Sequence, residues 1–265
     1  MISSTGNSRV KQLLQWQKKR KARDESGVYL VEGLRMFAEA PEEETEAVYV
    51  SESFYAKRRE ELALDAWGSR LEVLSDAVFS HVSDTKTPQG VLLVIRQKAY
   101  RPEQILGAEQ AGGKRPLLMV LDNLQDPGNL GTILRAGEAA GVTGVILSRD
   151  CVDIYNPKVI RSTMGSIYRM PFAYVENLPE TVEQMQEAGI HTYAAHLKGK
   201  NSYDREDYTR GTAFLIGNEG NGLRDEVADK AQTYVKIPMC GEVESLNAAI
   251  AASVLMFEAA RQRRG

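Results

Sequence analysis

Hydrophobic positions along the chain fall into two regimes. Up to about residue 98, short apolar runs are separated by longer polar stretches; past residue 115, strand-like and helix-like runs alternate regularly. In the first regime Val10, Leu13 and Leu14 predict an amphipathic helix over about Ser8 to Arg23, apolar side inward. Four β-like runs follow, at Val28-Tyr29-Leu30-Val31, Ala47-Val48-Tyr49-Val50, Leu71-Glu72-Val73-Leu74 and Val91-Leu92-Leu93-Val94-Ile95, with helical character from Phe54 to Trp67. Residues 99–115 hold Pro102, Gly107, Gly112 and Gly113 and few large apolar side chains, which reads as a linker. The expected organisation is a small α/β domain over 1–98, a linker over 99–115 and a larger domain over 116–265.

In the larger domain, strands are predicted at Leu117 to Leu121, Gly144 to Leu147, Phe172 to Val175, His191 to Ala195, Thr212 to Ile216 and Tyr234 to Ile237. Helices are predicted at about Leu130 to Ala140, Asn156 to Ser162, Leu178 to Ala188, Leu223 to Ala228 and Leu246 to Arg263. Such alternation implies a parallel sheet covered on both faces, with ligands at the carboxyl ends of its strands.

Charge changes this picture at one place. The formal net charge is only -3, but Arg9, Lys11, Lys18, Lys19, Arg20, Lys21 and Arg23 fall together with no acid among them, and Glu39, Glu42, Glu43, Glu44 and Glu46 follow. A basic patch binds nucleic-acid phosphates by counterion release whatever the global charge, whereas a solvated helix face would read the same way. Cys151 and Cys240 have no metal-ligand spacing and suggest reduced thiols in a cytoplasmic protein. Met1-Ile2-Ser3-Ser4-Thr5 lacks the regions of a signal peptide, and the apolar run from Leu246 to Phe257 is short for a membrane span, so no membrane is expected.

Candidate chemistry sits in three segments, each just past an apolar run. The first, Asp126-Pro127-Gly128-Asn129-Leu130-Gly131-Thr132-Ile133-Leu134-Arg135, sets Asn129 where an N-cap would stand and Arg135 in the helix beyond, where its fork could bind a phosphate or ribose in the strand-end crevice. The second, Ile216-Gly217-Asn218-Glu219-Gly220-Asn221-Gly222-Leu223, is glycine-rich but lacks the G-x-G-x-x-G dinucleotide pattern. The third, Ile237-Pro238-Met239-Cys240-Gly241 with Glu244-Ser245-Leu246-Asn247, puts Ser245 at an expected N-cap before a helix opened by Leu246 and Asn247. Each alone reads equally well as a capped helix or a tight turn. All three in order do not.

In residue types, order and spacing these segments resemble the three motifs of the SpoU (TrmH) family of RNA ribose 2'-O-methyltransferases. The resemblance spans essentially the whole chain and is strongest from Pro116 to Arg261; Val28-Tyr29-Leu30-Val31-Glu32-Gly33 and Thr87-Pro88-Gln89-Gly90-Val91-Leu92 resemble flanks of the family's RNA-binding domain. It implies a trefoil-knotted parallel-sheet methyltransferase domain, a smaller N-terminal ribosomal-protein-like (L30e-like) α/β RNA-binding domain, and a homodimer through the knotted domain. It further implies S-adenosylmethionine contacted by Gly217, Ile237 and Leu246, with Ile216, Asn218 and Met239 as neighbours. The polar catalytic group implied is Asn129, Arg135, Glu219, Ser245 and Asn247.

The reaction so implied moves a sulfonium methyl to a ribose 2'-hydroxyl. A guanidinium holds its proton above pKa ~12, so Arg135 is better read as a clamp on the 3' phosphate and the developing alkoxide than as a base. His81, His191 and His196 lie outside the motifs, and no metal is expected. The two-domain layout suggests 23S ribosomal RNA, with the basic run gripping phosphates. The alternatives are a transfer RNA 2'-O-methyltransferase or a non-catalytic relative that only binds RNA. A nicotinamide enzyme is disfavoured by the missing dinucleotide fingerprint after Leu121.

Overall fold

The computed structural model describes residues 1–107 and 115–264, so residues 108–114 of the expected linker lie outside the described residues. In chain order the elements begin with α1 (Ser8–Lys18), α2 (Arg20–Ser26), β1 (Val28–Glu32), α3 (Leu34–Ala38), β2 (Thr45–Ser51), α4 (Glu52–Arg58), β3 (Leu71–Leu74), α5 (Asp76–Val82) and β4 (Val91–Arg96). Next come α6 (Pro102–Leu106), β5 (Leu117–Leu121), α7 (Pro127–Ala140), β6 (Gly144–Ser148), α8 (Pro157–Thr163), β7 (Phe172–Val175), α9 (Leu178–Glu187) and β8 (His191–Ala195). The last are β9 (Asn201–Ser202), β10 (Thr212–Ile216), α10 (Asp225–Ala228), β11 (Thr233–Lys236) and α11 (Ala248–Arg263). The chain packs as two compact units, one of Met1–Lys98 with Asp153–Tyr168, the other of Ala99–Val152 with Arg169 onward.

The first unit is built on a four-stranded sheet in the order β1-β4-β2-β3. The strand β4 runs antiparallel to β1 and β2, and β3 is parallel to β2. Val10 and Leu13 of α1 pack with Val28, Leu30, Leu74, Phe79 and Leu92 in its core. The single helix expected over Ser8 to Arg23 breaks at Lys19, whose backbone is extended (φ -123°, ψ 115°). The break lets Arg23 turn inward, where Nη1 donates to the Trp16 carbonyl at 2.6 Å and Nη2 pairs with Asp153. Residues 153–168, expected within the larger domain, join this unit. Tyr155 stacks on Tyr29 at 4.5 Å between centroids, and its hydroxyl accepts from the Lys98 amide; the Tyr168 hydroxyl donates to the Met36 carbonyl at 3.0 Å.

The second unit carries a seven-stranded, all-parallel sheet in the order β7-β6-β5-β10-β8-β11-β9. Leu118 and Val120 of β5, Ala213 and Leu215 of β10, and Val182 and Met185 of α9 share one apolar core. The same core takes in Ile105 and Leu106 of α6, so the part of the expected linker that is described is a docked helix rather than free chain. From β5 the chain proceeds outward to β6 and β7, then returns to build the other side through β8 and β10. The β5/β10 seam is therefore the topological switch point at which parallel sheets bind ligands.

Candidate active site

The first motif leaves β5 and the second leaves the adjacent β10. Asp126, not Asn129, caps α7: its side chain accepts from the Asn129 amide at 2.7 Å, with Pro127 at the first helical position. Asn129, freed from capping, is buried and aims its carboxamide at the second motif. Its Nδ2 donates to Glu219 Oε1 at 2.9 Å, and its Oδ1 accepts from Asn247 Nδ2 at 2.9 Å. Asn247 is the N-cap of α11, its Oδ1 accepting from the amides of Ala249 and Ile250. Ser245, the expected cap, lies before the helix, which opens at Ala248.

These bonds form a relay with one allowed polarity. Glu219 also accepts from the amides of Gln125 (3.1 Å) and Asp126 (2.9 Å), and a carboxylate can only accept. Asn129 must therefore turn its amide nitrogen to Glu219 and its oxygen to Asn247; Asn247 in turn must donate to Asn129 and offer its oxygen to the helix start. Partial burial works to raise the Glu219 carboxyl, but hydrogen bonds from the Asn129 side chain and from backbone amides outweigh it and hold the group below its ordinary 4.5. Glu219 is thus ionised at neutral pH and anchors the chain.

The second motif closes on itself. Asn218 and Gly222 exchange backbone hydrogen bonds at 3.0 and 2.9 Å, with Gly222 at φ +72°. A Cβ on Gly217 would lie 2.0 Å from the Gly222 carbonyl carbon, so no larger residue fits there. The amides of Gly220 and Asn221 donate to Asn218 Oδ1, at 2.9 and 3.2 Å, and so are not available to a ligand in the way the glycine-rich sequence suggests.

Between this turn and the third motif lies a cavity of about 320 Å³. All six residues expected to hold the cofactor (Ile216, Gly217, Asn218, Ile237, Met239, Leu246) line it, as do Glu219 and Ser245. Its size falls at the lower end of small-molecule sites, and apolar walls with a few polar groups suit a nucleoside.

Arg135 stands apart. It lies six residues past Asn129, about 240° around the helix, and is solvent-exposed on α7 beside exposed Thr132 and Ala139. Among the described residues, none hydrogen-bonds or ion-pairs with it, so within one chain it does not enter the crevice. The basic run is likewise dispersed. Arg23 is 3% exposed and serves the core, Arg9 pairs with Glu72, Arg20 with Asp24 and Lys21 with Glu25. Lys11, Lys18 and Lys19 remain exposed, without an acidic partner among the described residues.

Sequence reasoning missed His196 and Leu197 in the cavity wall. His196 stacks on Tyr234 at 5.2 Å and accepts the Lys198 amide on Nδ1 at 3.0 Å. The signal lay in strand order: β8 sits between β10 and β11, so its carboxyl-end loop must face the same cavity, but that order is not written in the sequence. Among the described residues no group of three His, Cys, Asp or Glu side chains could hold a metal, and no helix is long and apolar enough to cross a membrane.

A cavity of this size at the carboxyl ends of parallel strands, beside an ionised carboxylate and an ordered amide relay, has the form of a nucleoside-binding site in an α/β protein. The chain belongs to the SpoU rRNA Methylase family, whose model matches residues 116–257. Residues 7–93 match the MRM3-like substrate binding domain. The chain is 30% identical over 259 residues to the 23S rRNA (guanosine(2553)-2'-O)-methyltransferase RlmP of Bacillus subtilis (strain 168), covering 97% of each chain. It resembles the AdoMet-bound rRNA methyltransferase from Sinorhizobium meliloti with a TM-score of 0.83 at 30% identity, over 98% of this chain and 97% of that one. It also resembles the AdoMet complex of the SpoU methyltransferase AviRb from Streptomyces viridochromogenes, at TM-score 0.82 and 28% identity, over 98% and 99% of the two chains. The protein is an RNA 2'-O-methyltransferase, and its cofactor is S-adenosylmethionine.

Proposed function

We propose that the protein methylates one ribose 2'-hydroxyl of 23S ribosomal RNA, in the cytoplasm and as a homodimer. The observation that carries the reading is the Glu219–Asn129–Asn247 relay beside the cavity, because it joins all three motifs into one ordered polar edge. The ribosomal target is supported by full-length similarity to RlmP, N-terminal part included. The first unit is the RNA-binding part, L30e-like in fold, with Lys11, Lys18 and Lys19 as its phosphate contacts. The cofactor part is a trefoil knot, a reading supported by the β10 strand inserted between β5 and β8 and by the neighbours' family.

Gly217, Ile237, Leu246, Ile216, Asn218 and Met239 hold the cofactor. Bound there, S-adenosylmethionine supplies the methyl group on sulfur and a neutral thioether as leaving group. The relay orients the ribose: Asn129 is fixed in one rotamer by Glu219, and Ser245 with Asn247 orders the third loop against it. Glu219, held below 4.5, is too weak a base to take the 2'-hydroxyl proton at neutral pH and acts as an orienter. Arg135 binds the 3' phosphate and stabilises the developing alkoxide, and as the C–O bond forms and the C–S bond breaks the 2'-hydroxyl proton passes to that phosphate.

That role asks for a second copy. Ile250, at 51% exposure, and Phe257, at 46%, flank half-buried Val254 on one side of α11, which packs against α7. Helical neighbours of this kind favour a partner. Pairing through this face is the arrangement we propose to bring Arg135 to the site of a second copy.

Methyl transfer from labelled S-adenosylmethionine to ribosomal RNA and, separately, to transfer RNA tests the reading. Nuclease-resistant label at one site of 23S RNA, lost in Arg135→Ala, is the expected result. Label in transfer RNA alone would overturn the target, and cofactor binding without transfer to any RNA would leave a binding protein.

A further inference from the structure

Asp122 is fully buried at the end of β5 and belongs to none of the three motifs. It grips both ends of the second motif. On the entering side its amide donates to the Ile216 carbonyl at 2.9 Å, the last bond of the β5/β10 seam. On the leaving side its Oδ2 accepts the Arg224 amide at 2.9 Å, and its Oδ1 accepts Arg224 Nε at 2.8 Å and Nη2. The turn that carries Gly217, Asn218 and Glu219 is thus a loop of seven residues whose two stems meet on one residue, the entering stem on its backbone amide and the leaving stem on its carboxylate.

The next residue adds a third tie. Asn123, held in the left-handed region at φ +52°, offers its carbonyl to Asn218 Nδ2 at 2.8 Å, and its amide donates to Ser148 Oγ at 2.8 Å. The outer side of the Arg224 fork reaches Asp150 at 3.4 Å, so the guanidinium spans the ends of β5 and β6. A buried carboxylate needs such pairing, because an unpaired one is strongly disfavoured. Only Asp satisfies all three donors from Arg224: Asn would set an amide nitrogen against another donor, and Glu would not fit the same closure.

We infer that Asp122, through Arg224, is the positioning residue of the cofactor loop, setting the height of the Gly217 wall and of the Glu219 carboxylate over the cavity. The inference rests on the cofactor assignment. Neither side chain lines the cavity, so their effect passes through the loop.

Calorimetric binding of S-adenosylhomocysteine to the full chain, well below the melting temperature, tests it with Asp122→Asn and Arg224→Lys. Lysine keeps the charge and the backbone amide but loses the fork. Both variants are expected to bind at least tenfold more weakly, with KM for the cofactor raised more than kcat is lowered. Arg224 is 40% exposed at its side chain, so its lysine variant keeps the argument testable if Asp122→Asn does not fold. A lysine variant that melts lower yet binds within threefold of the wild type would overturn the inference, since the pair would then only hold the fold. Failure of the wild type to bind would instead strike the cofactor assignment.

Discussion

The polar residues of α1–α2 and those of the three motifs were equally conspicuous as sequence, yet the structure treats them oppositely. Along α1–α2, seven basic residues in fifteen positions disperse: one is buried in the core, three pair with acids nearby, and three stay exposed without an acidic partner among the described residues. In the second unit, three residues separated by 90 and 118 positions converge on one hydrogen-bonded line. A charge run reports where lysine and arginine are tolerated. Polar residues carried by segments that leave the carboxyl ends of one parallel sheet report a shared edge to which the fold delivers their side chains.

Several substitutions would break or sharpen that contrast. The largest effect is expected for Glu219→Gln, which sets an amide nitrogen against Asn129 Nδ2 or the loop amides and scrambles the relay; kcat should fall about 10²–10³-fold, the usual cost of losing a preorganised polar group. Rates measured from pH 6 to 9 should show no ionisation from Glu219 in the wild type. Its folded pKa is below the unfolded value of about 4.5, so its stabilisation is full above that pH and fades as pH falls through the lower value. A kinetic pKa near 7 that disappears in Glu219→Gln would contradict this.

Gly217→Ala comes next. The added methyl must push the Gly222 backbone aside, at a cost of about 1–3 kcal/mol or more, and cofactor affinity measured by calorimetry should drop over tenfold. Ile250→Glu with Phe257→Glu should leave cofactor binding unchanged and give a monomer in analytical ultracentrifugation, inactive because Arg135 is left exposed. An active monomer would show that one chain completes its own site.

The smallest effects belong to the basic run, and they split it. Lys18→Ala with Lys19→Ala should weaken RNA binding a few-fold and reduce the salt slope of log Kd by about two, the counterions two contacts release. Arg23→Met should lower the melting temperature and leave that slope alone, since Arg23 is spent on Trp16 and Asp153.

Much of this was legible beforehand, for physical reasons. The inner strands of the second unit read as largely apolar runs because parallel strands are covered on both faces, and Leu117–Leu121, Phe172–Val175, His191–Ala195 and Thr212–Ile216 match their expected bounds. The helix caps were misread because two side chains competed for each: Asp126 before Pro127 captured α7, and Asn247 captured α11 with both a cap and a relay bond to make. The break at Lys19 and the capture of residues 153–168 by the first unit depend on tertiary partners, Asp153 for Arg23 and Tyr29 for Tyr155, that no local pattern encodes. Asp122 escaped notice because a lone acid after a strand looks like surface until Arg224 is placed on it.

The central claim is that the relay, and not merely the helix cap it ends in, builds the catalytic edge, and Asn247→Asp separates the two. Aspartate caps a helix as well as asparagine does and suits the helix dipole, so α11 and the melting temperature should be preserved. Its second oxygen, however, would face Asn129 Oδ1, which cannot turn away without setting that oxygen against the Glu219 carboxylate, acceptor on acceptor. Single-turnover methyl transfer by this variant should be about 10²-fold slower with cofactor affinity unchanged. Transfer within threefold of the wild type would contradict the account.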